Sequence, residues 1–484
     1  MMRSSTEVVQ ARATLRDEMA GGDLGDARLN ARRNRVIAAL EQHPDEGFPT
    51  ACGSASDLEA FYRFLRNPEV SLAKVLDPHV VATCERCRAL GEVLVIHDTT
   101  EQSFAGDEPR AGLTAQGRQR QGFWLHTSLA VSADGLQAPL GLLGLRPFGR
   151  TARREANART SWRQRWTDPD KESHRWAAGV ATVRTRFNGA IQAVHLMDRE
   201  GDSYELFATL MQHSDRFVVR LTHDRRVVPR EVGAPDKLSE TLPRTAHLFE
   251  RQVTLSPRPG SRQPHSRQLH PPRAGRVATL RFAAQRVHLQ RPHDAPKNSP
   301  WPATLAVHVV YGWEVEPPPG EAPVEWRLIT TEPIDTIDQV QRIVDSYRTR
   351  WLIEEFFKAL KTGCAYEKRQ LESLDTLLVA LALLAPIAWQ LLLLRHLART
   401  LPDASATSVL TARQIHVLRA SPPGAKLPSM PTIRDALHAV ARLGGHLRQN
   451  GEPGWLVLTR GMQKLRDMEA GWAAAERARN VRKM

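Results

Sequence analysis

Between Leu377 and Leu394 the chain reads LLVALALLAPIAWQLLLL, a run long enough to cross a bilayer and free of charge. Such a run leaves water altogether and has two destinations: a membrane core, or the centre of a large globular unit, where a helix is apolar all round. Pro386, Trp389 and Gln390 lie inside it, no second span follows, and a strongly charged segment, Tyr347 to Lys361, comes shortly before it. These features point to the central helix of a protein core and to no membrane partner. The 484 residues are enough to surround such a helix and to form more than one structural unit.

The formal charge is +14. Much of the excess is arginine, whose guanidinium suits bidentate phosphate contact. A strongly basic chain meets a polyanion, nucleic acid before an anionic membrane surface. An arginine-rich proteome gives the same balance with no such partner, so charge alone does not decide. Cys52, Cys84, Cys87 and Cys364 are too scattered for a disulfide framework, and Cys84 and Cys87, without a second pair, read as structural residues of a helix. Met1 to Ala20 is polar and charged, unlike a secretory signal.

A helix is predicted over Gly25–His43, with Leu29, Val36, Ile37 and Leu40 on one side and Arg28, Arg32 and Arg35 on another. A second begins near Ser56, where Ser56 and Glu59 have capping-box spacing, and it carries Arg63 and Arg66. Alone, these arginines describe a solvated face; beside a unit that handles DNA they become a phosphate-contacting arm. Val93–Ile96 is a short β-type run, predicted to be buried on both faces and to end at Asp98. Strands follow over Trp124–Ser132 and Gln137–Leu145, then a polar, arginine-rich stretch from Arg150 to Arg165. A helix around Lys171–Phe187 leads into a strand Ala193–Met197 ending at Asp198; a helix Tyr204–Gln212 and a strand Arg216–Leu221 complete an α/β alternation. The alternation breaks from Arg251 to His293, where no acidic residue occurs and arginine recurs. This reads as a β-rich insertion with a basic loop, closed by Glu325–Thr330. A long helix is expected from about Thr336 to Thr362, a linker at Pro422-Pro423-Gly424, and a helical end broken at Arg442-Leu443-Gly444-Gly445.

The segment YRTRWLIEEFFKALK, Tyr347 to Lys361, is the most informative. At about 100° per residue, Tyr347, Arg350, Glu354, Lys358 and Lys361 fall in one stripe, while Leu352, Ile353, Phe356, Ala359 and Leu360 fall opposite. A surface helix laced with Arg350–Glu354 and Glu354–Lys358 pairs has the same pattern. Asp98 and Asp198 change the balance, because each follows a buried strand, and strand ends of an open α/β sheet are where sites are built. Either aspartate alone is an ordinary turn former. Three carboxylates brought together from such distances need a cation, and Mg²⁺, with Mn²⁺ able to substitute, is the hard, oxygen-seeking ion that also bridges a phosphate. Two such ions suit the attacking and leaving sides of a phosphoryl transfer, with Arg350, Lys358 and Lys361 holding a DNA backbone alongside.

The Y-x2-R-x3-E-x6-K spacing of Tyr347, Arg350, Glu354 and Lys361 resembles the signature of bacterial DDE transposases of the insertion-sequence-four group, the transposon-five branch above all. LGDARL (Leu24 to Leu29), YRFLRN (Tyr62 to Asn67), HDTT (His97 to Thr100), DRE (Asp198 to Glu200), RFVVR (Arg216 to Arg220), WLIEEF (Trp351 to Phe356), KTG (Lys361 to Gly363) and ARLGGHL (Ala441 to Leu447) extend the resemblance over nearly the whole chain. It departs at Leu352, where the transposon-five branch has arginine.

The resemblance implies an α/β, RNase H-like catalytic core over residues 76–400 with a β-strand insertion at 225–333. It also implies an N-terminal helical DNA-binding region over 1–75 and a C-terminal helical dimerisation region over 401–484. Asp98, Asp198 and Glu354 carry over as catalytic metal ligands. Tyr347, Arg350, Lys358, Lys361 and Arg220 carry over as phosphate contacts, and Trp326 as an aromatic that stacks on a flipped base, where a core tryptophan is the competing reading. Members of the group nick the transposon end, form a hairpin through the 3′-hydroxyl, reopen it and join the end to target DNA. The implied partners are double-stranded DNA, as inverted-repeat ends and target, and a second copy of the chain on that DNA; the implied place is the bacterial cytoplasm, at the nucleoid. A DNA-binding protein descended from such an enzyme would not need the carboxylate trio, and a stand-alone nuclease would not need the C-terminal region.

Overall fold

In the computed structural model the apolar run forms the middle of a helix, Leu374–Thr400, capped by Ser373. The structure describes residues 3–10, 14–106, 108–116, 119–149, 172–258, 260, 272–293, 295, 299–422, 426–447, 449 and 451–481. The helix is long and apolar enough to span a membrane, and its most apolar stretch is 89% buried inside the protein. Trp389 sits within it and donates its Nε1–H to the Pro139 carbonyl at 3.0 Å, so its polar atom is satisfied by protein.

The described residues of 1–154, 181–192 and 351–484 form one compact unit, and those of 155–180 and 193–350 form a second. In the first, β1 (Glu92–Ala105) pairs antiparallel with β2 (Arg120–Ser132), and β2 with β3 (Pro139–Phe148). β1 does not end at Asp98 as predicted. β2 offers an unbroken partner, with Asp98 opposite Thr127 and Ala105 opposite Arg120, so the strand continues for seven residues. β3 starts after Gln137, whose φ of 50° places it in the preceding turn. The apolar helix packs on β3 and on the helix Leu72–Leu90, which carries the buried Cys84 and Cys87. Burial pushes both thiols up, so they are inert hydrophobes there, as read from the sequence.

Alongside shorter helices at Ser5–Gln10, Leu15–Ala20 and Phe48–Cys52, the two N-terminal helices predicted from the sequence are observed as Ala27–Gln42, capped by Asp26, and Ala55–Leu65. The cap of the second is Ser54, whose hydroxyl accepts from the Asp57 N–H at 3.1 Å, two residues before the predicted start. At the other end of the chain, Ile433–Leu443 crosses Trp455–Val481 at two glycines. A Cβ on Gly444 would stand 1.9 Å from the Val457 carbonyl oxygen, and one on Gly461 1.9 Å from that of Val440. The glycine motif thus marks backbone contact as well as a helix end.

Among its described residues the second unit has six strands: β4 (Gln192–Met197), β5 (Arg216–Arg220), β6 (Phe249–Leu255), β7 (Arg276–Gln290), β8 (Thr304–Glu314) and β9 (Glu325–Thr330). Their order is β4-β5-β9-β8-β7-β6, with β4 and β5 parallel and the rest antiparallel. Trp176, Phe207, Phe217, Leu289 and Ile329 lie in its core, so the strands on both sides of the break in the alternation share one apolar layer. Arginines of the acid-free run pair with carboxylates from elsewhere in the unit: Arg251 with Asp345, Arg276 with Glu314 and Glu321, Arg281 with Glu250, Arg286 with Asp335. The stretch Arg150–Arg165 and the centre of that run, with Arg262 and Arg267, lie outside the described residues.

Candidate active site

The predicted long helix is observed as Ile337–Thr349, a single turn residue Arg350, Trp351–Lys358, and a π-helical turn Ala359–Gly363. Thr336 caps it in a capping box with Gln339. The wider π turn takes Lys361 off the stripe drawn at a constant helical angle.

In the first unit, Trp351–Lys358 packs against β1 and buries Ile353, Glu355, Phe356 and Phe357. Glu354 is half-buried and, among the described residues, makes no hydrogen bond or ion pair. The Glu354–Lys358 pair of the competing surface-helix reading is absent among them. Lys358 lies 5.0 Å from the Trp351 ring centre and 4.0 Å from Glu355 instead. Leu352, expected on the core side, is only half-buried, whereas Glu355 is buried between Arg395 and Arg399, each 3.5 Å away. Sequence reading missed Glu355, because its partners lie forty residues on.

Asp98 is buried on β1, and its Oδ1 accepts from the Thr99 N–H at 2.8 Å. His97 and His126 stack beside it with centroids 5.7 Å apart. Lys361 donates to the Glu101 carbonyl, three residues along the same strand, and lies 3.3 Å from Glu367. The first unit therefore draws Lys361 to the Asp98 strand and sets the Glu354 helix against that strand.

In the second unit, β4 delivers Asp198, whose Oδ1 caps the turn Arg199–Gly201 by accepting from the Glu200 N–H at 2.9 Å. Met197 lies opposite Val219 on the parallel neighbour, which sets Asp198 beside Arg220 at matched strand ends. The Arg220 guanidinium donates to the Glu325 carbonyl at 3.0 Å. Tyr347 is buried, not on an exposed stripe, and burial pushes its hydroxyl up, against the pull of Arg350 and Arg220 and together with Asp198. Burial also lowers Arg220, with Arg199 and Arg350 adding repulsion. Arg220, Arg350 and Asp198 thus all act on the Tyr347 phenol, and Arg199 and Arg350 act on Arg220, an arrangement rich in positive charge that suits an anion. Trp326 on β9 is half-buried between Phe282 and Tyr347, 6.3 Å from each ring. Five predicted residues, Asp198, Arg220, Trp326, Tyr347 and Arg350, are brought together here, and Arg199 joins them unforeseen.

The N-terminal arginines are on the surface in weak pairs: Arg28 with Asp26 at 3.3 Å, Arg32 with Asp57 at 3.2 Å, Arg63 with Glu59 at 3.7 Å, Arg66 with Glu372 at 2.8 Å. Such exposed pairs are worth at most about 1 kcal/mol and exchange readily for a phosphate. Arg33 on the same helix is fully buried and donates to the Ala20 carbonyl, a structural arginine that the wheel did not separate from the others.

Among the described residues, no three His, Cys, Asp or Glu side chains are gathered into a cage for a metal ion. Two of the predicted carboxylates belong to the first unit and one to the second. The donor set itself is hard oxygen, and Glu354 has no competing partner among the described residues, which suits a Mg²⁺-type ion.

Two families match the chain. Residues 11–70 match transposase DNA-binding and residues 153–389 match the transposase DDE domain. A piggyBac transposase solved in a synaptic complex with hairpin DNA is similar in structure at 11% identity and a TM-score of 0.32, over 82% of this chain and 69% of that one. DDE domains carry an RNase H-like core and work with divalent metal ions. With a DNA-binding segment ahead of that domain, the chain belongs to the DDE transposases, which are polynucleotidyl transferases and endonucleases acting on DNA.

Proposed function

We propose that this transposase binds the inverted-repeat ends of its own element, cuts them through a DNA hairpin and joins them to target DNA, in the manner of the insertion-sequence-four group and its transposon-five branch. The observation that carries the reading is the cluster around Asp198, where Arg220, Arg350 and Tyr347 offer a phosphate donors on a rigid strand-end frame.

Asp98, Asp198 and Glu354 are the ligands of Mg²⁺, with Mn²⁺ as a substitute. The ion, when bound, polarises the phosphoryl group and acidifies the attacking hydroxyl. The chain's own residues bind and orient. Arg220, Arg350 and Tyr347 hold the reacting strand by its phosphates beside Asp198, and Lys358 and Lys361 hold phosphates beside Glu354. In the first cut a water oxygen attacks phosphorus and the 3′ oxygen leaves as a free hydroxyl. That hydroxyl attacks a phosphodiester of the opposite strand, the flanking DNA's 3′ oxygen leaves as a hydroxyl as the hairpin closes, and Trp326 receives a base displaced by the tight turn. Arg28, Arg32, Arg63 and Arg66 grip the backbone of the recognised end. The working species is a homodimer on DNA, in the bacterial cytoplasm at the nucleoid.

The test is incubation of the purified chain with its flanking inverted repeats and Mg²⁺, read on denaturing gels. Nicks should precede hairpins. Asp98→Ala, Asp198→Ala and Glu354→Ala should each abolish both products while gel-shift binding persists. Three variants that cut as well as the parent would refute the assignment, and binding without cutting in either Mg²⁺ or Mn²⁺ would leave a DNA-binding protein only.

A further inference from the structure

The second unit contains a cleft of about 570 Å³ that shares no residue with the cluster around Asp198. It opens where the outer edge of β7 loses its neighbour. Leu248 still donates to the Phe282 carbonyl at 2.7 Å, and Val228 donates to the His288 carbonyl at 2.9 Å. Between them the edge has no paired strand among the described residues, and by the alternation of antiparallel strands the N–H groups of Ala284 and Arg286 turn toward the gap.

The lining is basic. Arg230, Arg244 and Arg286 face one carboxylate, Asp335, and that is paired with Arg286. Arg244 makes no hydrogen bond or ion pair among the described residues, and Arg230 reaches only the Arg286 carbonyl, at 3.4 Å. Gln285 adds a neutral donor. Its side chain lines the cleft in a residue only 7% exposed, its Oε1 accepts from Thr245 Oγ1 at 3.2 Å, and its Nε2 has no partner among the described residues. A buried amide N–H without an acceptor is destabilising, so the site is built with donors in excess.

We propose that this cleft is a phosphate-binding site that seats the DNA backbone away from the reacting strand. Two exposed guanidiniums, a third held by Asp335, backbone N–H groups and an unsatisfied amide form the donor set that recognises phosphate oxygens. The volume exceeds what one phosphate fills, and Arg230 and Arg244 are exposed, which suits a diester chain passing through better than a small anion enclosed. The inference rests on the reading that the chain acts on duplex DNA.

The experiment uses full-length protein, an Arg230→Ala/Arg244→Ala double variant and Gln285→Leu. Both arginines are exposed and neither makes an ion pair among the described residues, so the double variant should fold as the parent does. Binding of an inverted-repeat duplex is titrated across salt concentrations, and inorganic pyrophosphate is titrated separately by calorimetry. The double variant should bind duplex several-fold more weakly, with the slope of log K against log salt reduced by roughly one for each phosphate no longer neutralised. Gln285→Leu should weaken binding at unchanged slope, because the amide carries no charge. An unchanged slope and affinity in the double variant overturns the proposal. Pyrophosphate binding that the double variant loses, with the duplex slope unchanged, assigns the cleft to free phosphate and overturns the backbone contact. A parent that neither binds nor cuts duplex fails the transposase reading instead, and that outcome is visible before any variant is made.

Discussion

The rings of Trp326 and Tyr347 meet at 65° with centroids 6.3 Å apart, so the aromatic proposed to receive a base is braced by the phenol proposed to hold a phosphate. Phe282 meets the Trp326 ring at the same distance, 6.3 Å. The indole is thus packed and half-exposed together, and the two readings of Trp326 as core residue and as stacking platform are not exclusive.

Trp326→Ala should therefore slow hairpin formation by about five- to a hundredfold, since stacking is worth about 1–3 kcal/mol per base, while the first nick keeps the parent's rate. Trp326→Phe should restore most of the hairpin rate. Time courses of nick and hairpin on one denaturing gel make the comparison. A parallel fall in both products would mean that the ring supports the site only by packing.

Gly312 lies opposite Trp326 and opposite Phe282 in the strand registers. A Cβ there would stand 2.6 Å from the Phe282 ring, which is stacked on Phe249 and has no room to yield. Gly312→Ala should push Phe282 against Trp326 and reproduce the hairpin defect of Trp326→Ala without removing the indole. A shifted tryptophan fluorescence with an intact nicking rate is the expected record; hairpin yields equal to the parent's would show that Trp326 does not depend on this brace.

Neighbouring glutamates on one helix should separate function from stability. Glu355→Ala leaves Arg395 and Arg399 without their shared buried carboxylate and should cost about 3 kcal/mol in urea unfolding of the first unit. Glu354→Ala removes a side chain with no partner among the described residues and should change stability by less than about 0.5 kcal/mol while abolishing cleavage. The reverse pattern would reassign the catalytic role to Glu355.

Much of this was readable from local pattern. Val93–Ile96 is an unbroken apolar run and Ala193–Met197 an apolar strand interrupted only by His195, and these segments brought Asp98 and Asp198 to notice. What the pattern lacked was partners. β1 outruns its apolar stretch because β2 pairs with the polar residues after Asp98, and no period in that segment reports a neighbouring strand. Tyr347 reads as a member of an exposed stripe on a wheel, yet Trp326 and Arg220, from distant strands, enclose it. The change from α to π geometry begins at Ala359, four residues before Gly363, and no residue at that point announces it. Ser56 and Glu59 have the spacing of a cap, but Ser54 is two residues nearer the true first turn. The arginines divide into surface and buried kinds, Arg32 against Arg33, only when the opposing helices are in place.

Stability should fall in mild acid through a buried triad in the first unit. His79 Nδ1 donates to Glu18 at 2.5 Å, its Nε2 accepts the Leu142 N–H at 3.0 Å, and Arg86 donates to the second Glu18 oxygen at 2.7 Å. The ring is committed on both nitrogens and has no position for another proton. Burial holds His79 below the ordinary imidazole value, an effect that Glu18 opposes without reversing. For Glu18, burial alone would raise the carboxyl, but the hydrogen bond from His79 and the charge of Arg86 outweigh it and hold it low. In both groups the unfolded chain binds protons that the native state refuses, so stability is full at neutral pH. It declines as pH falls below about 6.5, with a second loss below about 4.3. One proton limits the slope to about 1.4 kcal/mol per pH unit. His396 and His438 are also lowered by burial, so the parent's slope is a sum, and a variant must isolate His79. His79→Gln can donate to Glu18 and accept from Leu142 without titrating. Urea midpoints measured between about pH 5 and pH 8 should show a shallower acid decline in that variant than in the parent. Two curves of equal slope over that range would mean that His79 takes up its proton in the folded protein, and that the triad does not set the acid limit of the fold.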